Sequence, residues 1–405
     1  MDPSKDPVTP DTLQVLQFRA ANDPWLPRLK TFVCEGAAEA FIPFVPLFLS
    51  RNTTQINIAF AKGAPTLVVA SAINRLSAQC PDLASITLSP LPRDPVIAEA
   101  VSEMLLACNQ NTLKQFCVDS PLTEEAREVV YRLPRMSCLW TVIQGPTSLP
   151  AVALPNLTGL DIEYDGDHNW LQGFHSATLD KLEMASIHSR CEKIGDFLEA
   201  FERVALATSA QNKLSDFRFY TSRSWNPNYS CLLSFNQLQK VEIWFSCEGG
   251  CSSKIDDDII ISLAQAMPKL ELLLLGKAPC ATPTGITAKG LIGLARLCPR
   301  LSKLRIHFKA SSLVEATTNA ATLTPSAGEL VWRQDCALTD LEVGKIPIPM
   351  QSDTVVTLAL LQIFPRILNI GYTSMGWRSI AGFIKNFRQF GAFVHRSGEA
   401  HPSYT

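Results

Sequence analysis

The sequence predicts an α/β solenoid, with a curved parallel sheet on the concave face and helices on the convex face. Two observations support this class: a short apolar phrase recurs along the chain, and segments with helical periodicity lie between its copies. One strand and one helix cannot bury their own apolar side chains, so neighbouring units must stack against one another.

The recurring phrase consists of an apolar anchor followed by apolar residues three and five positions later. Clear anchors lie at positions 29, 83, 113, 157, 179, 214, 238, 270, 301, 338 and 367, and weaker copies begin at 53 and 136. Successive anchors are 21 to 37 residues apart, which overlaps the period of about 20–29 residues in leucine-rich repeats. The alternation inside each phrase indicates a strand with one buried face. We therefore expect about 12–13 irregular leucine-rich repeats.

The segments between the phrases predict the helices of the repeats. Their apolar residues recur with helical spacing, and several end in a proline shortly before the next anchor, where the chain must leave the helix. The predicted helices are Leu67–Gln79, Pro95–Cys108, Thr123–Arg132, Glu192–Ala207, Asp256–Ala266, Thr287–Leu297 and Ser352–Ile363.

This pattern divides the chain into four segments. The solenoid covers residues 25–375, and the segment 1–24 holds at most one helix, over Asp11–Ala21. The tail 397–405 is expected to be disordered, as chain ends often are. Residues 376–396 are predicted to form a helix that caps the open end of the solenoid, with an apolar face made by Trp377, Ile380, Phe383, Ile384 and Phe387.

Composition and charge exclude several classes of function. Hydrophobic residues make up 46% of the 405 residues and the formal net charge is −2, whereas nucleic-acid binding typically needs a basic patch. The first residues lack the basic start and the apolar core of a secretory signal, and no run reaches about 18 uncharged apolar residues. We expect a monomer that is cytoplasmic or nuclear and not secreted, without nucleic acid or membrane as a partner. Its twelve cysteines should be reduced.

No motif in the sequence indicates catalysis or a bound cofactor. Cys247 and Cys251 lack the second ligand pair that a zinc site needs. The segment Asp165–Asn169 lacks the glycine and the closing glutamate of a calcium loop, and Asp256–Asp258 stands where carboxylates favour a helix start. We therefore expect no catalytic, cofactor-binding or metal-binding residue, and an enzyme remains the weaker alternative.

Four segments resemble the F-box-associated leucine-rich-repeat proteins of mushroom-forming fungi. They are residues 40–60, 76–88, 256–276 and 287–308, and the likeness extends over about 25–375. The resemblance implies a substrate receptor: the F-box docks on the Skp-type adaptor of a cullin-based ubiquitin ligase, and the repeats hold the target protein.

The F-box itself is not visible in this chain. It would need about forty helical residues and a Leu-Pro-x-Glu-like opening, but only 28 residues precede Leu29 and none of them fits. Two interpretations stay open: either an upstream F-box belongs to the full protein, or the chain has lost adaptor binding and is an orphan repeat scaffold. A Skp-type adaptor is thus expected as a partner only in the first case.

The residues two, four and six positions after each anchor should point away from the core. On the later strands Tyr220, Trp244, Leu272 and Leu274 would then be exposed within a charged rim, which is the composition of a protein-binding hot spot. The alternative is a solvated face whose charges compensate one another, with a Glu183–Arg218–Glu242 ladder. The candidate protein-binding residues are Arg218, Tyr220, Lys240, Glu242, Trp244, Leu272, Leu274, Lys303, Arg305 and His307. Trp225 is either a rim contact or a packing residue.

Overall fold

Thirteen parallel strands alternate with helices in the computed structural model. The structure describes residues 13–14, 25–37, 39–144, 154–166, 170–171, 180–191, 197–207, 210–223, 225, 227–245, 255–276, 285–318, 336–343, 346–349, 352–372 and 375–398. The chain forms two compact units: the first contains residues 1–191 and 207–210, and the second contains residues 192–206 and 211–405. The predicted α/β class, with parallel strands and intervening helices, is confirmed.

The first unit contains seven strands that pair in parallel and in chain order. A 3₁₀ helix over Glu39–Phe48 follows the first strand, and three α-helices follow later ones. The strands are β1 (Thr31–Ala37), β2 (Gln55–Phe60), β3 (Ser85–Leu88), β4 (Gln115–Pro121), β5 (Cys138–Gln144), β6 (Gly159–Asp165) and β7 (Met184–Ser189), and the helices are α1 (Thr66–Gln79), α2 (Pro95–Ala107) and α3 (Glu124–Val130).

The second unit contains six parallel strands, again in chain order. The strands are β8 (Asp216–Thr221), β9 (Lys240–Trp244), β10 (Leu272–Leu275), β11 (Lys303–Arg305), β12 (Asp340–Glu342) and β13 (Asn369–Gly371). The helices are α4 (Phe197–Ala207), α5 (Asp257–Ala266), α6 (Ala288–Leu297), α7 (Ala310–Thr318), α8 (Asp353–Ile363) and α9 (Met375–Gly398). Short 3₁₀ helices cover Ala210–Asn212 and Tyr229–Ser234.

Twelve of the thirteen strands begin two residues after a predicted anchor, and β7 is the exception. Leu179 was expected to be its anchor, but β7 starts at Met184 and pairs Ala185 with Leu160. The buried phrase is therefore Leu182, Ala185 and Ile187. The pattern was ambiguous because Ala185 is small, so that Leu179 and Leu182 both had apolar residues at the required spacing.

The buried side chains of each strand pack against helices. In the second unit the ring of Phe219 lies 4.7 Å from that of Phe197, and the ring of Phe217 lies 5.0 Å from that of Phe201. The two partners Phe197 and Phe201 are one turn apart on α4, so this helix covers the buried face of β8. The opposite face of the strand carries Asp216, Arg218 and Tyr220, which are half-buried.

The acidic residues at the start of α5 connect neighbouring repeats. Asp256 caps its own helix by accepting from the backbone N–H of Ile259 at 3.0 Å. Asp257 instead accepts from the backbone N–H groups of Thr287 and Gly290, at 2.7 and 3.0 Å, and so caps α6. The predicted role of this acidic cluster at a helix start is therefore confirmed, and it extends to the next helix.

The helix α9 occupies the segment for which a capping helix was predicted. Trp377, Ile380 and Ile384 are fully buried, and the indole Nε1 of Trp377 donates to the carbonyl of Ile346 at 2.9 Å. Phe383 and Phe387 were expected on the same apolar face, but they are 50% and 58% exposed. The helix thus buries a narrower stripe than the sequence predicts. Most of segment 1–24 and the tail 399–405 lie outside the described residues.

Candidate protein-binding surface

The parallel register of the second unit sets its outward residues in rows. One row consists of Arg218, Glu242, Leu274, Arg305 and Glu342, on strands β8 to β12. A second row, two residues earlier on each strand, consists of Asp216, Lys240, Leu272, Lys303 and Asp340. Tyr220, registered with Trp244, and His307 extend the surface beyond these rows. We call these thirteen residues the β8–β12 face.

Arg218 is held by a neighbour on its own strand. Its Nε and Nη2 donate to the two carboxylate oxygens of Asp216 at 2.9 and 2.7 Å. This bidentate hydrogen bond raises the pKa of Arg218 and fixes the guanidinium plane. The predicted ladder placed Arg218 between Glu183 and Glu242. Glu183 precedes β7 by one residue, because of the register change at Leu182, and does not occupy an outward strand position.

Glu342 joins two cations at the other end of the rows. Its Oε1 lies 2.8 Å from Nζ of Lys303, and its Oε2 accepts from Nε of Arg305 at 2.5 Å. Burial raises the pKa of this carboxyl, but the hydrogen bonds and charges of Lys303 and Arg305 outweigh that effect and lower it below its usual value. Glu342 is therefore ionised at neutral pH.

Two aromatic side chains and Arg305 form the centre of the face. The guanidinium carbon of Arg305 lies 4.7 Å from the centroid of the Trp244 ring, which is a cation–π arrangement. The rings of Tyr220 and Trp244 are 6.4 Å apart, and the Tyr220 hydroxyl donates to Glu242 at 2.9 Å. Burial, followed by this acidic neighbour, raises the pKa of Tyr220. Both aromatic rings remain half-buried, so one side of each faces outward.

Three residues predicted to be exposed on this face are buried instead. Leu274 is 3% exposed, Arg305 is 7% exposed and His307 is 5% exposed. Leu274 lies between the registered long side chains of Glu242 and Arg305, and Arg305 reaches towards Trp244 two strands away. The strand pattern correctly predicted that Leu274 points away from the core, but it did not predict that neighbouring side chains cover it.

His307 is affected by the same burial. Desolvation, and then the positive charge of Arg305, lower its pKa to about 4. The imidazole is therefore neutral at physiological pH.

The accessible part of the face thus includes Lys240, which is exposed, and half-buried residues such as Tyr220, Trp244, Leu272, Lys303 and Arg218. Lys240 has no ion-pair partner within the described part of the chain. Leu272 is half-buried between Lys240 and Lys303 in the register. The candidate residues predicted from the sequence did not include Asp216, Asp340 and Glu342. These three residues also lie two or four positions after an anchor, so the same rule predicts that they point outward.

The carboxylate of Asp340 is held by two hydrogen bonds. Its carboxylate accepts from Thr339 at 2.6 Å and from Nδ2 of Asn369, on β13, at 2.9 Å. These two hydrogen bonds lower its pKa more than its slight burial raises it. A depression of about 410 Å³ lies beside it, lined by residues of β11 to β13 that include Lys303 and Tyr372.

The first unit has a charge cluster of its own. The Nη2 of Arg93 donates to both carboxylate oxygens of Glu163 at 2.7 Å, and Nε of Arg190 contacts the same carboxylate. Glu163 projects outward from β6, as the sequence predicts, and the two arginines remain substantially exposed. Arg93 precedes α2, so this contact connects a loop of one repeat to a strand three repeats later.

Other sequence candidates are placed as follows. Trp225 is 7% exposed and its ring lies 4.7 Å from that of Phe219, so it packs in the core. Cys80 and Cys298 are fully buried, as expected of packing residues. Cys247, Cys251 and residues 167–169 lie outside the described residues. Within the described ranges, no group of three or more His, Cys, Asp or Glu side chains is arranged to hold a metal ion.

Among the described helices, none is both long enough and apolar enough to cross a membrane.

No protein-family model matches the sequence, and a search of curated proteins finds no match. Among solved structures, the chain is similar to one in the crystal structure of the Rad7 and Elc1 complex in yeast. The sequence identity is 14% and the TM-score is 0.33, over 91% of this chain and 85% of that chain.

Proposed function

We propose that this protein is a non-catalytic protein-interaction module and that the β8–β12 face of the second unit binds its partner. The observation that carries the proposal is the centre of this face, where Tyr220, Trp244 and Arg305 come together. Trp, Tyr and Arg are the residues most enriched at binding hot spots. Charged groups surround them, as in the polar rim of a protein interface.

The fixed geometry of these side chains supports the proposal. Arg218, Arg305 and Tyr220 each have a hydrogen-bonded carboxylate partner, so little side-chain freedom remains to be lost when a partner binds. Preorganised groups of this kind increase affinity because ordering side chains costs about 0.5–1.5 kcal/mol each.

The first test is co-purification from the source cells under matched conditions. The wild-type chain is compared with Trp244→Ala and with Leu358→Ala, whose side chain is 50% exposed on α8, away from the β8–β12 face. We expect specific proteins to be lost with Trp244→Ala and retained with Leu358→Ala. Equal retention in both variants, with both correctly folded, would contradict the proposed surface.

For the cellular role, we propose a substrate receptor of a Skp-cullin-F-box-type ubiquitin ligase. The sequence resemblance to F-box-associated repeat proteins supports it, and an orphan scaffold without a ubiquitin link is the alternative. Calorimetric titration of the chain with a Skp-type adaptor separates them. Binding at micromolar affinity or tighter supports the receptor role of this chain, whereas no heat favours the scaffold for the chain as it stands.

A further inference from the structure

Two cysteines meet on the outward face of the first unit. The Sγ atoms of Cys117 on β4 and Cys138 on β5 are 3.9 Å apart, and both side chains are half-buried. The register pairs Cys138 with Gln115 and Cys117 with Trp140, so the two cysteines lie diagonally on adjacent strands. They are 21 residues apart in sequence, and their proximity follows only from the register of the sheet.

We propose that Cys117 and Cys138 form a reversible redox pair that closes to a disulfide when a hydroperoxide oxidises it. The two sulfurs are not bonded to one another in this structure. The proposal concerns a modification of the first unit and does not depend on the β8–β12 face.

The two thiols influence one another's ionisation. A hydrogen bond from Cys117 stabilises the thiolate of Cys138 and lowers the pKa of Cys138 to about 7, against the opposing effects of burial and of the negative charge of Asp161 on the neighbouring strand β6. The pKa of Cys117 is raised, first by the same hydrogen bond and then by burial. At neutral pH, Cys138 is therefore the nucleophile and Cys117 the resolving thiol.

The reaction balances with one peroxide for each disulfide. The Cys138 thiolate attacks a peroxide oxygen, the O–O bond breaks, and a sulfenic acid and hydroxide form. The sulfur of Cys117 then attacks the sulfenic sulfur, so that an S–S bond forms and the S–O bond breaks. The leaving hydroxide takes the Cys117 proton as water. Together the two thiols lose two electrons, and hydrogen peroxide accepts these electrons and is reduced to two waters.

Closing the bond requires the sulfurs to approach from 3.9 Å to about 2.05 Å. The strand ladder is already irregular at this point, because the register of β4 and β5 shifts between Cys117 and Pro121. Such an irregularity locally interrupts the hydrogen bonds between strands, which lets Cys117 move. On the other side of Cys138 stands Gly159, and the position of a Cβ there would be 3.5 Å from the Cys138 sulfur. The side chain of Met184 on β7 reaches the same place, because its Cε would lie 3.4 Å from that Cβ position.

A diagonal disulfide of this kind should be strained and easily reduced. Diagonal neighbours on adjacent strands lie about 7–8 Å apart, beyond the roughly 4.4–6.8 Å between the Cα atoms of most disulfides, so closing this bond requires the backbone to move. Strained disulfides have more oxidising potentials than structural ones and serve as labile or regulatory bonds. We therefore expect thioredoxin or dithiothreitol to reopen it under native conditions.

The test treats the folded full-length chain with stoichiometric hydrogen peroxide, followed by alkylation in denaturant and peptide mass analysis. We expect a Cys117–Cys138 linked peptide whose mass is about 2 Da below the sum of its two reduced, unalkylated peptides, because two hydrogens are lost, and we expect dithiothreitol to reverse the link. The initial rate should increase with pH through about 7, following the pKa of Cys138. Circular dichroism before and after treatment reports whether the fold persists.

Three variants make the result specific. Cys117→Ser should convert the outcome to sulfenic and sulfinic acid at position 138, and Cys138→Ser should slow all oxidation at position 117. Cys34→Ser is the matched control, because Cys34 is also a half-buried strand cysteine of the first unit, and it should leave the linked peptide unchanged. The proposal is overturned if folded wild-type protein gives only sulfinic products, or if the linked peptide joins other cysteines.

Discussion

The guanidinium of Arg305 lies 4.7 Å above the ring of Trp244, although a strand separates the two residues. Trp244 is on β9 and Arg305 is on β11, so the pair spans β10. Gly276 follows β10 directly, and a Cβ there would lie 3.6 Å from the ring of Phe245 and 3.9 Å from Nε2 of His307. Gly276 adopts a φ of +80°, which residues with side chains rarely adopt.

Leu274 is registered with Arg305 on β11, and its burial predicts which leucine of β10 tolerates a charge. Leu274→Glu would place a carboxylate at a site that is 3% exposed, and we expect it to destabilise the fold by more than about 3 kcal/mol. Leu272→Glu is the matched control, because position 272 is registered between Lys240 and Lys303. It should be neutral or stabilising by up to about 1 kcal/mol. Urea unfolding measures both variants. Equal changes in the free energy of unfolding for the two variants would contradict the burial of Leu274.

The carboxylate of Glu342 is expected to stabilise the second unit. Glu342→Gln leaves Arg305, whose side chain is 8% exposed, without its ion-pair partner. We expect a loss of about 1–3 kcal/mol in the free energy of unfolding. Because the folded pKa of Glu342 is lowered, its contribution is present above the unfolded value of about 4.3 and is lost as the pH falls through the folded value. Asp258→Asn, in an exposed pair with Lys289, should cost less than about 1 kcal/mol.

The neutral imidazole of His307 predicts a dependence of stability on pH. Its folded pKa of about 4 lies below the unfolded value of about 6.5. The unfolded chain therefore binds a proton first as the pH falls, and stability decreases between about 6.5 and 4. At pH 5 the loss from this group should be about 2 kcal/mol. His307→Gln should remove this component, which unfolding curves at pH 7 and pH 5 measure. An identical decrease in wild type and variant would contradict it.

Gly290 should not tolerate the substitution that usually strengthens a helix. Replacing a helical glycine by alanine normally stabilises by up to about 1 kcal/mol. At Gly290, however, the new Cβ would lie 2.5 Å from Oδ1 of Asp257, the oxygen that caps α6. We expect Gly290→Ala to lower the melting temperature.

Gly382, on α9, has no atom within 4 Å of the corresponding Cβ position. Gly382→Ala should therefore raise the melting temperature, and it serves as the matched control for Gly290→Ala. If both variants were stabilising, Asp257 would not hold α6 in the arrangement described.

The strands were predictable from sequence because their signal is periodic and local. Residues such as Leu214, Phe217 and Phe219 mark both the start of a strand and its buried face. The anchor of β7 was predicted wrongly as Leu179. The actual anchor is Leu182, three residues later, and it was missed because the core position that follows it is occupied by a small residue, Ala185. Helix starts were also predicted well, since Asp94 and Thr123 cap α2 and α3 through side-chain hydrogen bonds.

The candidate surface was only partly predictable, for a different physical reason. The direction of Leu274 follows from strand periodicity, but its burial depends on where Arg305 and Glu242 place their long side chains. Likewise, the hydrogen bonds of Arg218 with Asp216 on its own strand depend on the rotamers of the two side chains. The contact between Cys117 and Cys138 requires both strand register and rotamers, which a pattern of apolar residues does not contain.

The central claim, that the β8–β12 face binds a protein, is tested most directly by site-specific photo-crosslinking. A photoreactive amino acid at position 240, where the side chain is exposed, is compared in source cells with one at position 358 on α8. We predict a defined crosslinked protein from position 240 alone, which disappears when Trp244→Ala is added to that chain. The same crosslinks from both positions, or crosslinks from position 240 that persist without Trp244, would contradict the account.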